Sequence, residues 1–260
     1  LNLPDFIIAG APRSGTTWLY ELLARHPRVY MAQPKKPEPK FFLVDEIYSR
    51  GLGHYSRTWF EARPASALAA GEKSTNYLES PEAASRIARD LPGVKLVFIL
   101  REPCGRAWSN WLWSRQNGME KESFARALEL EDERERTLPE KLRFARPHAY
   151  YSRGLYAELL APWLERFPLE RVLVLRFEDV KERPAALAER LHRFLGVEPR
   201  PADGVELGVV NPAAKAPGET PPASVMADLF RRYEEPNGAL ARLVPGFPIW
   251  RKPELGNGGD

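Results

Sequence analysis

Gly10 and Gly15 bracket Ala11, Pro12, Arg13 and Ser14, and two hydroxyl residues, Thr16 and Thr17, follow at once. An apolar run, FIIA, precedes the loop, and a helical pattern with Leu19, Leu22 and Leu23 on one face follows it. A glycine-bounded loop between a strand and a helix gathers backbone N–H donors at the positive end of the helix dipole, which is phosphate-binding chemistry. Arg13 adds a full charge and the threonines add hydroxyl donors. An ATP-using loop would carry, at the place of Thr16, a lysine that reaches the β- and γ-phosphates. The loop is therefore suited to a phosphate other than the end of ATP. The alternative is an ordinary strand–helix turn.

A second candidate anion site begins at Arg101, directly after the apolar run VKLVFIL (94–100). Open parallel sheets hold ligands at the carboxyl ends of their strands. Arginine there holds an anion, where aspartate would hold Mg²⁺. Ser109 lies about two helical turns further on, with Cys104 and Arg106 between. The alternative for Arg101 is a surface ion pair with Glu102 or Glu178.

Glu38 stands between Pro37 and Pro39, with Lys35, Lys36 and Lys40 around it. The prolines stiffen its backbone, and the lysines favour the ionised carboxylate. It reads either as a general base or as a solvated partner for the lysines. Of the four histidines, His54 in GLGHY is the rival base, and His26, before Pro27, reads as a helix cap. Trp108, Trp111 and Trp113 line either an acceptor cleft or the core. Glu72 reads as an anchor for Lys73 or for nearby arginines.

These groups need a scaffold. Residues 5–9, 29–34, 94–100 and 172–179 read as strands, and 71–78 as a short strand end and loop. Residues 16–26, 81–91, 184–195 and 224–243 read as helices, as do RAWSNWLWSRQ and LYAELLAPWLERF, the latter broken or kinked at Pro162. Residues 45–60 read as irregular helix. The charged stretch 121–145, with ELEDERER, reads as a solvated helix, and 34–42 and 198–222 as Pro-rich loops. Alternation of strands and helices predicts one α/β domain over 1–260, a central parallel sheet flanked by helices, with a P-loop-like phosphate-binding loop after the first strand.

A balance of 38 Lys and Arg against 35 Asp and Glu leaves +3, too small an excess to argue for a nucleic-acid partner. No apolar run is long enough to span a membrane. Cys104 is the sole cysteine, so no intrachain disulfide forms, and a reducing, cytoplasmic setting is expected.

Three stretches, PRSGTTW, LREPCGRAWSNW and YSRGLYAELLAPWLERFP, resemble the PAPS-dependent sulfotransferases, in particular the heparan-sulfate-type carbohydrate enzymes and their bacterial relatives (PAPS is adenosine 3′-phosphate 5′-phosphosulfate). The resemblance runs from Pro4 to Trp250. It implies that Arg13, Ser14, Gly15, Thr16 and Thr17 hold the 5′-phosphosulfate, with Arg13 stabilising charge where many relatives have lysine. It implies that Arg101 and Ser109 hold the 3′-phosphate, joined by Arg153 and by Lys215. The family's Lys-Gly-Arg is here reduced to Lys215 within AAKAPGET. It further implies that Glu38 is the general base, with Lys40 at the place of a family histidine, and that Lys73 reaches the reacting centre. The expected reaction is in-line sulfuryl transfer from PAPS, leaving PAP and using no metal. The expected acceptor is a hydroxyl on a carbohydrate, lipid or secondary metabolite, free or carrier-tethered. Two rivals remain: a P-loop kinase using ATP and Mg²⁺, and a non-catalytic nucleotide-binding protein.

Overall fold

Five short strands pair in parallel in the order β2-β3-β1-β4-β5 in a computed structural model that describes residues 1–202 and 220–250. The strands are β1 (Phe6–Gly10), β2 (Val29–Met31), β3 (Ala69–Lys73), β4 (Lys95–Leu100) and β5 (Val172–Arg176). The first five helices are α1 (Thr16–Ala24), α2 (Asp45–Tyr48), α3 (Gly51–Phe60), α4 (Pro81–Asp90) and α5 (Pro103–Gln116). The remainder are α6 (Phe124–Glu129), α7 (Glu131–Arg136), α8 (Tyr156–Leu164), α9 (Asp179–Glu182), α10 (Pro184–Leu195) and α11 (Ala223–Leu243).

Successive side chains of a strand face opposite ways, and the core divides accordingly. Ile7, Ala9, Leu96, Phe98 and Leu100 pack on one face with Tyr55, Ile87, Leu160 and Trp163 of α3, α4 and α8. Phe6, Ile8, Val97 and Ile99 pack on the other with Leu19, Leu22 and Leu23 of α1 and Leu187, Leu191 and Leu195 of α10. The strands are thus buried on both sides, as parallel strands require. From β1 the chain runs out to β2, returns to β3 beside β1, and then crosses to β4 on the far side of β1. The carboxyl end of β1 is therefore the switch point at which open α/β sheets bind ligands.

Several expectations change in the fold. Residues 69–73 form a fully buried inner strand; its two charged residues hide this, because Glu72 and Lys73 find partners inside the protein. The second strand spans only Val29–Met31. Residues 45–60 split into α2 and α3, with Gly51 at a φ of 78° opening α3. Pro162 lies inside α8 without ending it at that residue. The charged stretch folds as the short helices α6 and α7 and a 3₁₀ turn. It is not wholly solvated: Glu131 is buried and accepts hydrogen bonds from the Tyr151 and Ser152 amides at 2.6 and 2.8 Å. Among the described residues no helix is long and apolar enough to cross a membrane.

Candidate active site

The loop after β1 ends at Gly15, the residue before α1, with a φ of 88°. A Cβ there would lie 2.6 Å from the Phe177 ring, so both conformation and packing require glycine. No side chain caps α1, which leaves its first amides open to an anion. Thr16 and Thr17 begin the helix and face a cleft of about 350 Å³ together with Pro12 and Arg13. Ser14 is buried beneath the loop, its hydroxyl 3.5 Å from the Pro12 carbonyl oxygen.

Arg13 and Ser109, 96 positions apart, meet here: Nε and Nη2 of Arg13 both donate to Ser109 Oγ at 3.3 Å. Arg101 Nη1 reaches the Arg13 carbonyl oxygen at 3.5 Å, and its guanidinium lies 4.9 Å from the Phe177 ring centre. The carboxylates that are the alternative partners of Arg101 by sequence are engaged elsewhere. Glu102 caps α5 by accepting the Cys104 and Gly105 amides at 2.8 and 2.6 Å, and Glu178 accepts the Glu102 amide at 2.9 Å and the Trp250 indole at 3.0 Å. Tyr156 donates to the Arg101 carbonyl oxygen at 2.8 Å and steadies the strand end. Burial, then Arg101 and Arg106, draw the Arg13 guanidinium down to about 10. Arg106 is itself buried, with Nε and Nη1 unpartnered. Cations gathered so closely at an open helix end fit a multiply charged anion.

Glu38 joins the same cleft from the segment after β2. Its carboxylate accepts from Lys73 Nζ, from the Thr75 amide at 3.1 Å and from the Thr75 hydroxyl at 3.3 Å. Lys36, Lys40, Lys73, Asn110, Trp113 and Arg153 complete much of the lining. Of the lysines expected around Glu38, Lys35 turns away to pair with Glu21. Lys40 lies over the Phe144 ring at 4.5 Å, and burial lowers its ammonium below the ordinary lysine range.

The remaining predicted residues fall as follows. Arg153 lines the cleft, but its guanidinium donates to Glu79 at 2.5 Å, Asn110 at 3.2 Å and the Ala145 carbonyl at 2.7 Å. Lys215 lies outside the described residues. His54 sits on α3 with its ring nitrogen 3.5 Å from the Thr58 hydroxyl, and it does not line the cleft. Trp108 and Trp111 stack at 4.7 Å in the core beside Phe124, which leaves Trp113 as the tryptophan of this trio at the cleft. His26 does not cap α1: its Nδ1 accepts the Arg28 amide at 3.1 Å and its Nε2 meets the Glu198 carbonyl at 2.9 Å. Glu72 anchors neither Lys73 nor an arginine. It is buried among Tyr55, Tyr77 and Ser74, and burial raises its carboxyl to about 7 against the pull of those hydroxyls. Thr75 and Tyr156 were not predicted; the hydroxyl two places after Lys73 was the available signal for Thr75.

A parallel sheet with an uncapped helix end, clustered guanidinium groups and a carboxylate in one cleft defines a group-transfer enzyme acting on a phosphate-bearing donor. The chain belongs to the sulfotransferase domain family, whose model matches residues 3–207. It is 30% identical over 206 residues to the human "bifunctional heparan sulfate N-deacetylase/N-sulfotransferase 3", covering 76% of this chain and 23% of that one. It is 27% identical to the Caenorhabditis briggsae protein named "bifunctional heparan sulfate N-deacetylase/N-sulfotransferase 1", covering 95% of this chain and 29% of that one. The chain thus spans under a third of these curated relatives. A sulfotransferase crystal structure from Alicyclobacillus acidocaldarius superposes with a TM-score of 0.76 at 27% identity, covering 94% and 96% of the two chains. A mouse sulfotransferase complexed with PAP shares the fold at a TM-score of 0.59 and 16% identity, covering 93% and 85%. The chain is therefore a sulfotransferase domain by family model and by fold.

Proposed function

We propose that this enzyme sulfates a hydroxyl of a carbohydrate, lipid or secondary metabolite, free or carrier-tethered, with Glu38 as the general base. One observation carries the reading: the Glu38 carboxylate and the loop of Arg13, Thr16 and Thr17 line the same cleft. Arg13, Ser14, Gly15, Thr16 and Thr17 would hold the 5′-phosphosulfate, and Arg101 and Ser109 the 3′-phosphate. Arg153 and Lys215 are assigned to the nucleotide through the family resemblance. Bound PAPS supplies the sulfuryl group and a phosphate leaving group.

Glu38 takes the proton of the acceptor hydroxyl as its oxygen bonds to sulfur, so no free alkoxide has to form. Lys73, hydrogen-bonded to Glu38, keeps the carboxylate in place and adds positive charge beside the transferring group. Arg13 offsets the charge that grows on the leaving phosphate. A guanidinium stays ionised and presents a fork of donors, so its part is stabilisation rather than proton donation.

Glu38→Gln tests the reading. It should lower kcat by about two to four decades and leave PAP affinity, measured by calorimetry in EDTA, intact. Wild-type turnover in Glu38→Gln together with an inactive His54→Ala would assign the base to His54 instead. The curated relatives are named N-sulfotransferases, so saccharides matched except for an amine in place of a hydroxyl belong in the acceptor panel. Exclusive turnover of the amines would replace the hydroxyl reading.

A further inference from the structure

Glu72 lies on β3 beside Lys73, fully buried, and its carboxylate accepts three hydroxyl donors. Ser74 Oγ donates to Oε2 at 2.6 Å, and Tyr55 and Tyr77 donate to Oε1 at 2.9 and 3.0 Å. Two of these hydroxyls extend the contact further. Ser74 Oγ accepts the backbone N–H of Lys40 at 2.9 Å, and Tyr77 OH accepts that of Phe42 at 3.2 Å. A hydroxyl has one hydrogen to give. With that hydrogen directed at Glu72, only lone pairs face the two amides, so the carboxylate sets the polarity of both links.

The anchored amides belong to the segment that carries Glu38. Lys40 has a φ of 48°, a conformation sparsely populated by residues other than glycine. Such a conformation persists where surrounding contacts over-determine it, and the Ser74 link supplies one of them. The adjacent rings Phe41 and Phe42 are fully buried, which fixes the far side of the segment. Tyr55 brings α3 to the same carboxylate, so the hub joins β3, α3 and the Glu38 segment.

We infer that Glu72 is a positioning residue for the base: through Ser74 and Tyr77 it anchors the Lys40 and Phe42 amides and so holds Glu38 at the cleft. The inference rests on the reading of Glu38 as base. Glutamine at position 72 would present an amide donor in place of one acceptor oxygen. At least one hydroxyl must then turn its hydrogen away and accept from the new amide, which changes the geometry of its link to the Glu38 segment.

The experiment is a double-mutant cycle read by kcat, KM and PAP calorimetry. Glu72→Gln should lower kcat about 10²-fold, the scale expected of a reacting group misplaced by about 1 Å, with PAP affinity and the KM for PAPS unchanged. Placed in the Glu38→Gln enzyme, Glu72→Gln should cause no further loss. Ser74→Ala leaves the carboxylate with its two tyrosines and should give a smaller loss of the same kind; it carries the cycle if Glu72→Gln does not fold. An unchanged kcat, an equal loss in the Glu38→Gln background, or a parallel fall in PAP affinity would overturn the inference. Wild-type turnover in Glu38→Gln would instead overturn the base assignment, and the inference with it. An inactive Glu38→Gln beside a fully active Glu72→Gln would overturn the positioning role alone.

Discussion

Lys73 Nζ donates to the Glu38 carboxylate across 35 positions of sequence, from the end of an inner strand to a proline-flanked loop. The lysine is buried and the glutamate side chain is only 15% exposed. This pair closes one side of the cleft whose other contributors come from the phosphate loop.

Breaking one half of such a pair leaves a poorly solvated charge. Lys73→Met is expected to destabilise the protein by about 3 kcal/mol, measured by urea unfolding. Glu38→Gln/Lys73→Met should recover much of that loss, because neither charge is then stranded. Strictly additive effects in the two single variants and the double variant would show that the residues do not couple.

Arg101 should distinguish nucleotides that differ only in the 3′-phosphate. Its ordinary carboxylate neighbours are engaged with backbone and indole donors. A charge-assisted contact is worth about 1.5–3 kcal/mol, so Arg101→Ala should weaken PAP by about one to two decades while adenosine 5′-phosphate binding barely changes. Equal losses for the two ligands would remove Arg101 from the 3′-phosphate site.

Gly15→Ala meets two obstacles, a φ of 88° and the Phe177 ring 2.6 Å from the new methyl group. The left-handed conformation alone costs about 1–2 kcal/mol. Calorimetric melting should show lower stability, and PAP affinity should fall because the loop amides move. Gly15→Ala/Phe177→Leu should recover part of the stability, since it relieves the contact but not the backbone strain. No recovery would mean that the ring is not the obstacle.

His192 is buried 4.9 Å from the His26 ring, and burial, then His26, draw it down to about 4 from 6.5. Its Nδ1 accepts the Arg200 amide at 3.3 Å, and its buried Nε2 has no partner. Between those two values the unfolded chain binds a proton that the folded protein does not, so stability falls as pH drops from about 6.5 toward about 4. His192→Phe should flatten that part of the pH–stability curve in urea titrations. An unchanged slope would place the acid sensitivity elsewhere.

Local chemistry made much of this protein legible from sequence. The glycine loop and the apolar strands before the loop and before Arg101 depend on spacing and side-chain type over a few residues, and the parallel α/β fold follows from their alternation. Family membership rests on motifs of the same short range. Tertiary structure decided the partnerships. Nothing near Glu38 pointed to Lys73 or Thr75, and the neighbouring Lys35 pairs with Glu21 instead. By sequence the loop arginine and the α5 serine belong to separate anion sites, yet in the fold Arg13 bonds to Ser109. The stretch AAGEK, ending in two charges, does not look like an inner strand, because its burial depends on hydroxyls from Tyr55, Ser74 and Tyr77 around Glu72. A buried charge is tolerated only where other segments supply its partners, and that supply is set by how distant elements pack rather than by the residues alongside it.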